Sequence, residues 1–162
     1  RTPNGQDACE ACPVLAPLLP SELLVVDSSV VAMRWQDDGG PLPEGEDPPE
    51  IAGLSITGGQ GTLGTEIGCN ESCDEYIYGG GVLLSEASCR LVDVELLANS
   101  ASLGAGLMAD ESDLRLERVS MYWNQATSSG GGMMVSGRLE AYDVSALSND
   151  SGRYGGGLFL SG

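Results

Sequence analysis

The sequence predicts an all-β fold, a right-handed three-sided parallel β-helix (solenoid) with about 25 residues per coil. Three observations predict this fold: an asparagine that recurs at a fixed interval, a glycine triplet that recurs at nearly the same interval, and alternating apolar residues between them. The asparagines and the last glycines of the triplets recur every 25 or 26 residues, at Asn99, Asn124, Asn149, Gly81, Gly106, Gly132 and Gly157. A fixed period of this length is typical of a solenoid.

Alignment of the repeats on the asparagines separates apolar from polar columns, with a period of two inside three short blocks. The apolar columns are Val82, Leu107, Met133 and Leu158; Leu84, Ala109, Val135 and Leu160; Cys89, Leu114 and Leu139; Leu91, Leu116 and Ala141; Val94, Val119 and Val144; Leu96, Met121 and Ala146. A period of two indicates strands. We therefore expect three inward-facing strands per coil, each paired in parallel with its equivalent one coil away.

Physical properties of asparagine and glycine explain why the repeated asparagines and glycine triplets are expected at corners of the coil. Asparagine tolerates a left-handed backbone, and its amide can hydrogen-bond to the next asparagine about 4.8 Å along the stack. A glycine triplet fits a corner where the backbone needs a positive φ or where neighbouring coils crowd each other. We therefore predict an asparagine ladder at one corner and a glycine corner at another.

The chain of 162 residues is predicted to form one domain. Residues 1–20 are expected to form an N-terminal cap or lead segment, and residues 21–162 the β-helix. Residues 36–50 form a predicted acidic Pro/Gly-rich loop, and residues 60–78 a predicted side loop that enlarges one corner. The chain stops one strand into a new coil, which predicts either a longer protein or a partner at the C-terminal coil.

The cysteines favour an oxidising compartment. Four of them are disulfide candidates, in two close pairs that allow three pairings: Cys9, Cys12, Cys69 and Cys73. An all-cysteine zinc site is the alternative. Cys89 shares an inward column with leucines, so it is predicted to be a buried, unpaired thiol.

The charge balance restricts the partners. Seven basic against 24 acidic residues give a formal net charge of −17, which disfavours nucleic acid, anionic membranes and acidic polysaccharides. No apolar run approaches the ~20 residues of a transmembrane helix, so no transmembrane segment is predicted. The remaining predicted partners are a second copy or neighbouring subunit at the open C-terminal coil, and glycans.

The outward columns offer few candidates for chemistry. Glu95, Glu117 and Asp143 are carboxylates that could form a catalytic group on one face. The favoured interpretation is a surface charge ladder, with Arg115 over Glu140, and no catalytic residue is predicted. No cofactor is predicted either. The alternative is Ca²⁺ held by oxygen ligands of one acidic turn, at Asp110 and Asp113.

Aromatic residues near the corners are the candidate interface side chains. They are Tyr122, Trp123, Tyr142 and Tyr154. Exposed aromatic rings can stack on sugars or anchor an interface, and they can also cover hydrophobic corners. Both interpretations stay open at this point.

The repeats GGGV, GAGL, GGGM and GGGL with LLANSA, MYWNQA and LSNDS resemble the repeats of a known family. They are similar to the Gly-Gly-Ala-Ile and Phe-x-x-Asn repeats of polymorphic outer-membrane-protein passengers, and equally to bacterial secreted β-helix proteins. The resemblance covers residues 51–162, with Leu96, Met121 and Ala146 where phenylalanine stands in the passenger repeat. It implies a secreted or surface-exposed rod.

Together these features predict a non-catalytic secreted or cell-surface β-helix scaffold. It would act as an adhesin-like stalk or as a segment of an extracellular fibre. One alternative is a fragment of a polysaccharide-active, pectate-lyase-like β-helix enzyme. The other is a calcium-dependent carbohydrate- or protein-binding module.

Overall fold

The computed structural model describes residues 31–34, 47–65 and 75–161, and regular structure in these residues is all β. They contain no helix of the length and apolarity needed to cross a bilayer. The strands, in chain order, are β1 (Val31–Arg34), β2 (Glu50–Ala52), β3 (Ser55–Thr57), β4 (Thr62–Thr65), β5 (Glu75–Tyr78), β6 (Val82–Ser85), β7 (Ser88–Val92), β8 (Glu95–Leu97), β9 (Ser100–Leu103), β10 (Leu107–Glu117), β11 (Ser120–Tyr122), β12 (Gln125–Ser129), β13 (Met133–Tyr142), β14 (Ser145–Leu147), β15 (Asp150–Ser151) and β16 (Leu158–Ser161).

The strands stack into three sheets that run along one axis. Sheet A joins β1, β6, β10, β13 and β16, with β2 and β7 alongside; sheet B joins β3, β8, β11 and β14; sheet C joins β4, β5, β9, β12 and β15. Among the strands of the described residues, every pairing between coils is parallel, and only β4 with β5 is antiparallel. This confirms the predicted parallel β-solenoid, with about three turns of roughly 25 residues each. The right-handed winding stays a prediction.

The described coils have three sides, as predicted, but the predicted strands are distributed differently among the three sheets. The two predicted blocks after the glycines lie in the same sheet, and in β10 and β13 they merge into one long bent strand. The strand that forms sheet C follows each asparagine and was missed. Its inward column holds small residues with little apolar signal, Ala101, Ala126 and Ser151.

The corner before each asparagine also differs in detail. The left-handed residue is not the asparagine but its predecessor, with φ near +50° at Ala98, Trp123 and Ser148. At the glycine corner the positive φ belongs to the first glycine of each triplet, Gly79, Gly104, Gly130 and Gly155. Asparagine is therefore needed for its amide and not for its backbone freedom.

The interval of 26 residues between two glycines is absorbed within a single coil. Between Ala126 and Ser129, strand β12 has one residue more than its partner β9. Between Val135 and Gly137, strand β13 has one residue fewer than its partner β10. The two irregularities cancel. The asparagines consequently keep their spacing of 25 residues, and the ladder stays in register.

The core is a narrow aliphatic column inside the three sheets. Its largest fully buried side chains are Leu84, Leu91, Leu96, Leu107, Leu114, Leu116, Met121, Val82, Val94, Val119, Val135 and Asn99. These are the inward columns that the repeat alignment predicted, and each apolar side chain stacks on its equivalent one coil away. Removal of this apolar surface from water is the main stabilising contribution in such a stack.

The earlier coil is present as predicted, in part. Strand β1 pairs with β6, while Ile51 and Ile56 are buried in the core. The predicted side loop begins and ends as the antiparallel pair β4 and β5, which extends sheet C. Residues 1–20, most of the acidic loop and the four disulfide candidates Cys9, Cys12, Cys69 and Cys73 lie outside the described residues.

Candidate functional site

The asparagine ladder is the most ordered polar feature of the described residues. The Oδ1 of Asn124 accepts hydrogen bonds from the backbone N–H and the side-chain amide of Asn99, at 3.0 and 2.9 Å. The Oδ1 of Asn149 does the same for Asn124, at 2.9 and 2.9 Å. Each amide also donates across to sheet B, as Asn124 Nδ2 does to Leu96 O at 2.8 Å. The predicted ladder is therefore present, and it satisfies buried polar groups that would otherwise be costly.

Gly59 takes the asparagine position in the coil before Asn99, as the alignment predicted. Its N–H donates to Asn99 Oδ1 at 2.9 Å, and its carbonyl accepts from Ser100 N at 2.8 Å. The ladder therefore ends on a backbone donor at this coil. No buried side-chain nitrogen or oxygen in the described part of the chain lacks a hydrogen-bond partner.

The last glycine of a triplet faces the carbonyl of its equivalent in the next coil. A Cβ on Gly81 would lie 2.6 Å from Gly106 O and 2.9 Å from Asn99 Nδ2, and Gly106 and Gly132 face similar overlap. Gly157, by contrast, has room for a Cβ. These glycines are structural, because the backbones of adjacent coils meet there.

Charged side chains on the outer face of sheet A form an ion-pair network along the stack. Arg90 donates to Glu50 at 2.8 Å and to Glu117 at 2.9 Å, and Glu117 also accepts from Arg115 at 2.8 Å. The hydrogen bond from Arg90 holds the pKa of Glu117 below its usual value. The predicted pair of Arg115 and Glu140 is longer, at 4.0 Å. Glu117 is therefore the centre of the network.

A second ion pair links two corner residues of adjacent coils. Arg118 donates through Nε and Nη2 to the two carboxylate oxygens of Asp93, at 2.6 and 2.8 Å. This two-point contact lowers the pKa of Asp93. Both side chains are about half exposed, so the pair is a surface feature.

Glu95, Glu117 and Asp143, the three carboxylates considered for a catalytic group, make different contacts in the structure. Glu117 is held by two arginines, Glu95 accepts a hydrogen bond from Ser55 Oγ at 2.8 Å, and Asp143 lies on an exposed corner. Two of the three are thus engaged in contacts between or within coils. The absence of catalytic activity stays a prediction.

The weak calcium candidates do not form a cluster. In the described ranges, no group of three or more carboxylate, thiol or imidazole side chains could hold a metal ion. At Asp110 it is the backbone carbonyl that is engaged, accepting from Glu86 N at 2.9 Å and from Ser112 Oγ at 2.7 Å. The side chains of Asp110 and Asp113 are exposed. Calcium binding at this turn stays the alternative prediction.

Cys89 is buried and unpaired, as predicted. Burial raises the pKa of its thiol to about 12. A thiol of this kind behaves as a small apolar side chain in the core column.

The candidate aromatic residues do not form one patch. Tyr142 lies under the guanidinium of Arg115, 5.4 Å from ring centre to Cζ, and Tyr154 stacks on Phe159 at 5.9 Å. Tyr122 and Trp123 are neighbours, with ring centres 6.4 Å apart and planes tilted by 51°. Only this last pair combines two candidates. Leu97 and Leu147 lie beside this pair and were not predicted as interface residues. Their positions could have indicated them, because each stands two residues before a ladder asparagine, as Tyr122 does.

Comparison with known proteins adds no relationship. A scan against models of protein families, a search of curated proteins and a search of solved structures each found no match.

Proposed function

We propose that the chain is a non-catalytic scaffold of the cell surface or extracellular space, an adhesin-like stalk or a segment of an extracellular fibre. The observation that carries this proposal is that polar residues of the repeat contact each other. The asparagines hydrogen-bond to each other across coils, and Arg90 forms ion pairs with Glu50 and Glu117 in the strands on either side of it, so both sets contribute to stacking. A solenoid whose repeated side chains hold its coils together can grow in length by a fixed rise per coil, which suits a stalk or a fibre.

The finer identity of the scaffold is part of the same proposal. The resemblance of the glycine and asparagine repeats to those of polymorphic outer-membrane-protein passengers supports an exported protein. The formal net charge of −17 supports an extracellular role away from nucleic acid and anionic lipid. The cysteine pairs support an oxidising environment, where disulfides persist.

Assembly through the C-terminal coil belongs to this proposal as well. Strands β14, β15 and β16 each pair on one side, and Leu158 and Leu160 are exposed beside them. Unpaired strand edges accept further strands. Further strands would extend the three sheets there, whether they come from a second copy, from a neighbouring subunit or from following residues of a longer chain.

Location on intact cells tests the export proposal. Antibodies raised against the recombinant chain should label unpermeabilised source cells or the culture medium, and protease added to intact cells should remove the cell-bound label. A matched permeabilised sample reports the intracellular pool. Label that appears only after permeabilisation would contradict the proposal.

Turnover on polysaccharides separates the scaffold from the enzyme alternative. The scaffold proposal expects no release of reducing ends or unsaturated products from a panel that includes polygalacturonate, with and without added Ca²⁺. Sustained turnover that is lost in Glu117→Gln would support the pectate-lyase-like alternative instead. An unchanged melting temperature across Ca²⁺ and chelator would argue against the calcium-dependent module.

A further inference from the structure

Trp123 occupies a corner where the fold requires only a small residue. The pairing of β11 with β8 and β14, and of β8 with β3, aligns this corner with Gly58, Ala98 and Ser148 in the other coils. All four residues have a positive φ. Because glycine, alanine and serine turn the chain there, the indole has no role in forming the corner.

The tryptophan is held there at a cost to stability. Its φ of 52° lies in the left-handed region, which is strained for a bulky side chain. Its side chain is 65% exposed, so burial recovers little of that cost. The exposure does not come from a sheet edge, because β11 has a paired strand on either side. Ala98 and Ser148 adopt nearly the same φ, so the strain belongs to the corner, whereas the large exposed ring of Trp123 is not required by the turn.

The indole is part of a small apolar surface, which we call the Trp123 platform and define by Leu97, Tyr122, Trp123 and Leu147. The outward column of sheet B brings Leu97, Tyr122 and Leu147 into register. Tyr122 is partly buried, with its hydroxyl 3.4 Å from Ser145 Oγ, while Leu147 is 57% exposed because it lies in β14, the end strand of sheet B.

Polar side chains border the platform on both sides. On sheet B these are Glu95, Ser120 and Ser145, which stand two residues before the platform residues in each strand. On sheet C the first residues after the asparagines are in register and exposed: Ser100, Gln125 and Asp150. The platform is therefore an aromatic surface within reach of hydroxyl, amide and carboxylate groups.

From this arrangement we infer that the Trp123 platform binds a neutral glycan, with one sugar ring stacked on the indole. The C–H bonds on one face of a pyranose ring carry partial positive charge, which is attracted to the negative π face of the indole. The hydroxyls at the edge of the sugar need donors and acceptors, which the exposed side chains of Gln125 and Ser100 supply. This inference goes beyond the proposed scaffold function, which needs no ligand.

The charge of the border selects against acidic glycans. Among the described side chains of these outward columns, Glu95 and Asp150 are acidic and none is basic. A uronate or sulfated chain would place like charges together, so the favoured ligand is uncharged.

The size of the platform argues against a protein partner. A stable protein interface covers about 800 Å² on each side, with around 20 residues or more. The platform has four side chains, and only Trp123 and Leu147 are more than half exposed. One or two sugar rings match a surface of this extent.

Titration of the whole chain with sugars tests the inference. The probes are hexasaccharides of β-linked glucose, mannose and N-acetylglucosamine, with oligogalacturonate as the acidic control. The readouts are the calorimetric Kd and the indole N–H signal of Trp123, with Trp35 as an internal reference. Trp123→Ala is the test variant, and Tyr154→Ala is the matched control because Tyr154 is equally exposed, at 62%, on another corner.

We expect at least one neutral hexasaccharide to shift the Trp123 signal. Trp123→Ala should weaken that binding by about tenfold, and Tyr154→Ala should leave it unchanged. Trp123→Ala should still fold, because Ala98 occupies the same corner; an unchanged circular dichroism spectrum checks this.

Four results would overturn the inference. They are no binding of any neutral hexasaccharide at millimolar concentration, equal affinity of Trp123→Ala and the parent chain, tighter binding of oligogalacturonate, or a Trp123 shift that follows protein concentration without sugar. The last would assign the platform to contact between copies of the chain. None of these results bears on the cell-surface labelling that tests the scaffold proposal, so the two failures are distinguishable.

Discussion

The Oδ1 of Asn124 accepts two hydrogen bonds from Asn99 in the neighbouring coil, one from its backbone N–H at 3.0 Å and one from its amide at 2.9 Å. This contact joins two coils through buried polar groups, since Asn99 and Asn124 are 1% and 0% exposed. The stack is thus specified by polar pairing as well as by its apolar core.

Replacement of Asn124 by alanine should destabilise the fold more than its size suggests. The change removes the acceptor of the Asn99 N–H, and also the hydrogen bonds that Asn124 makes with the Asn99 amide and the Leu96 carbonyl. A buried group left unsatisfied costs about 1–3 kcal/mol, and the cavity left by the amide adds to this. We expect a loss of about 3 kcal/mol in the free energy of unfolding, measured by urea denaturation. Gln125→Ala, on the exposed face beside it, should change stability by less than about 0.5 kcal/mol. Equal losses of stability in the two variants would contradict a stabilising role of the asparagine ladder.

Replacement of Trp123 by glycine should stabilise the chain. A left-handed backbone costs a residue with a Cβ about 1–2 kcal/mol, and glycine at Gly58 already turns the same corner. We expect a gain of about 1 kcal/mol in the free energy of unfolding, with Trp123→Ala close to the parent chain. A loss of more than about 1 kcal/mol on Trp123→Gly would mean that the indole supports the fold, and would weaken the case for a ligand.

The sequence predicted the ladder because one residue type, asparagine, recurs at one position. It could not predict the left-handed corner in front of the ladder, because Ala98, Trp123 and Ser148 share no side-chain property. The strand after each asparagine was missed for a similar reason. Its inward positions, Ala101 and Ala126, are small, and the hydrophobic alternation is weak.

The charged face shows a different limit of sequence reasoning. Columns in the alignment pair residues directly above one another, which placed Arg115 over Glu140. In the structure Arg115 and Glu140 are in register and form an ion pair at 4.0 Å. The shorter contacts are those of Glu117, which accepts from Arg115 in its own strand and from Arg90 diagonally across. Long side chains reach beyond their own column, so ladder partners depend on rotamers that a repeat alignment does not contain.

Protonation of Glu117 should contribute to acid destabilisation. Its folded-state pKa lies below the unfolded value of about 4.3, so its stabilising effect is present above that pH and is lost as the pH falls through the folded-state pKa. The melting temperature of the parent chain should therefore fall from pH 5 towards pH 2, and the melting temperature of Glu117→Gln should fall less steeply over that range. Glu111→Gln, on an exposed corner, is the control. Parallel curves for Glu117→Gln and the parent chain would contradict this role.

Cys89 should be unreactive in the folded chain. Because burial raises its pKa to about 12, its thiolate fraction at pH 8 is small, and iodoacetamide must also enter the core. Peptide mass spectrometry should show labelling of Cys89 at least about a hundredfold slower in buffer than in urea. Labelling of native Cys89 within minutes would place the side chain at the surface.

Deletion of one whole coil tests the stacked-coil account most directly. Removal of residues 99–123 joins Ala98 to Asn124 and preserves every column, whereas removal of residues 99–122 is the matched control that shifts all columns by one residue. The account predicts that the 25-residue deletion keeps a β-rich spectrum and unfolds cooperatively with a smaller free energy, while the 24-residue deletion fails to fold. Equal behaviour of the two deletions, folded or unfolded, would contradict a solenoid built on a 25-residue coil.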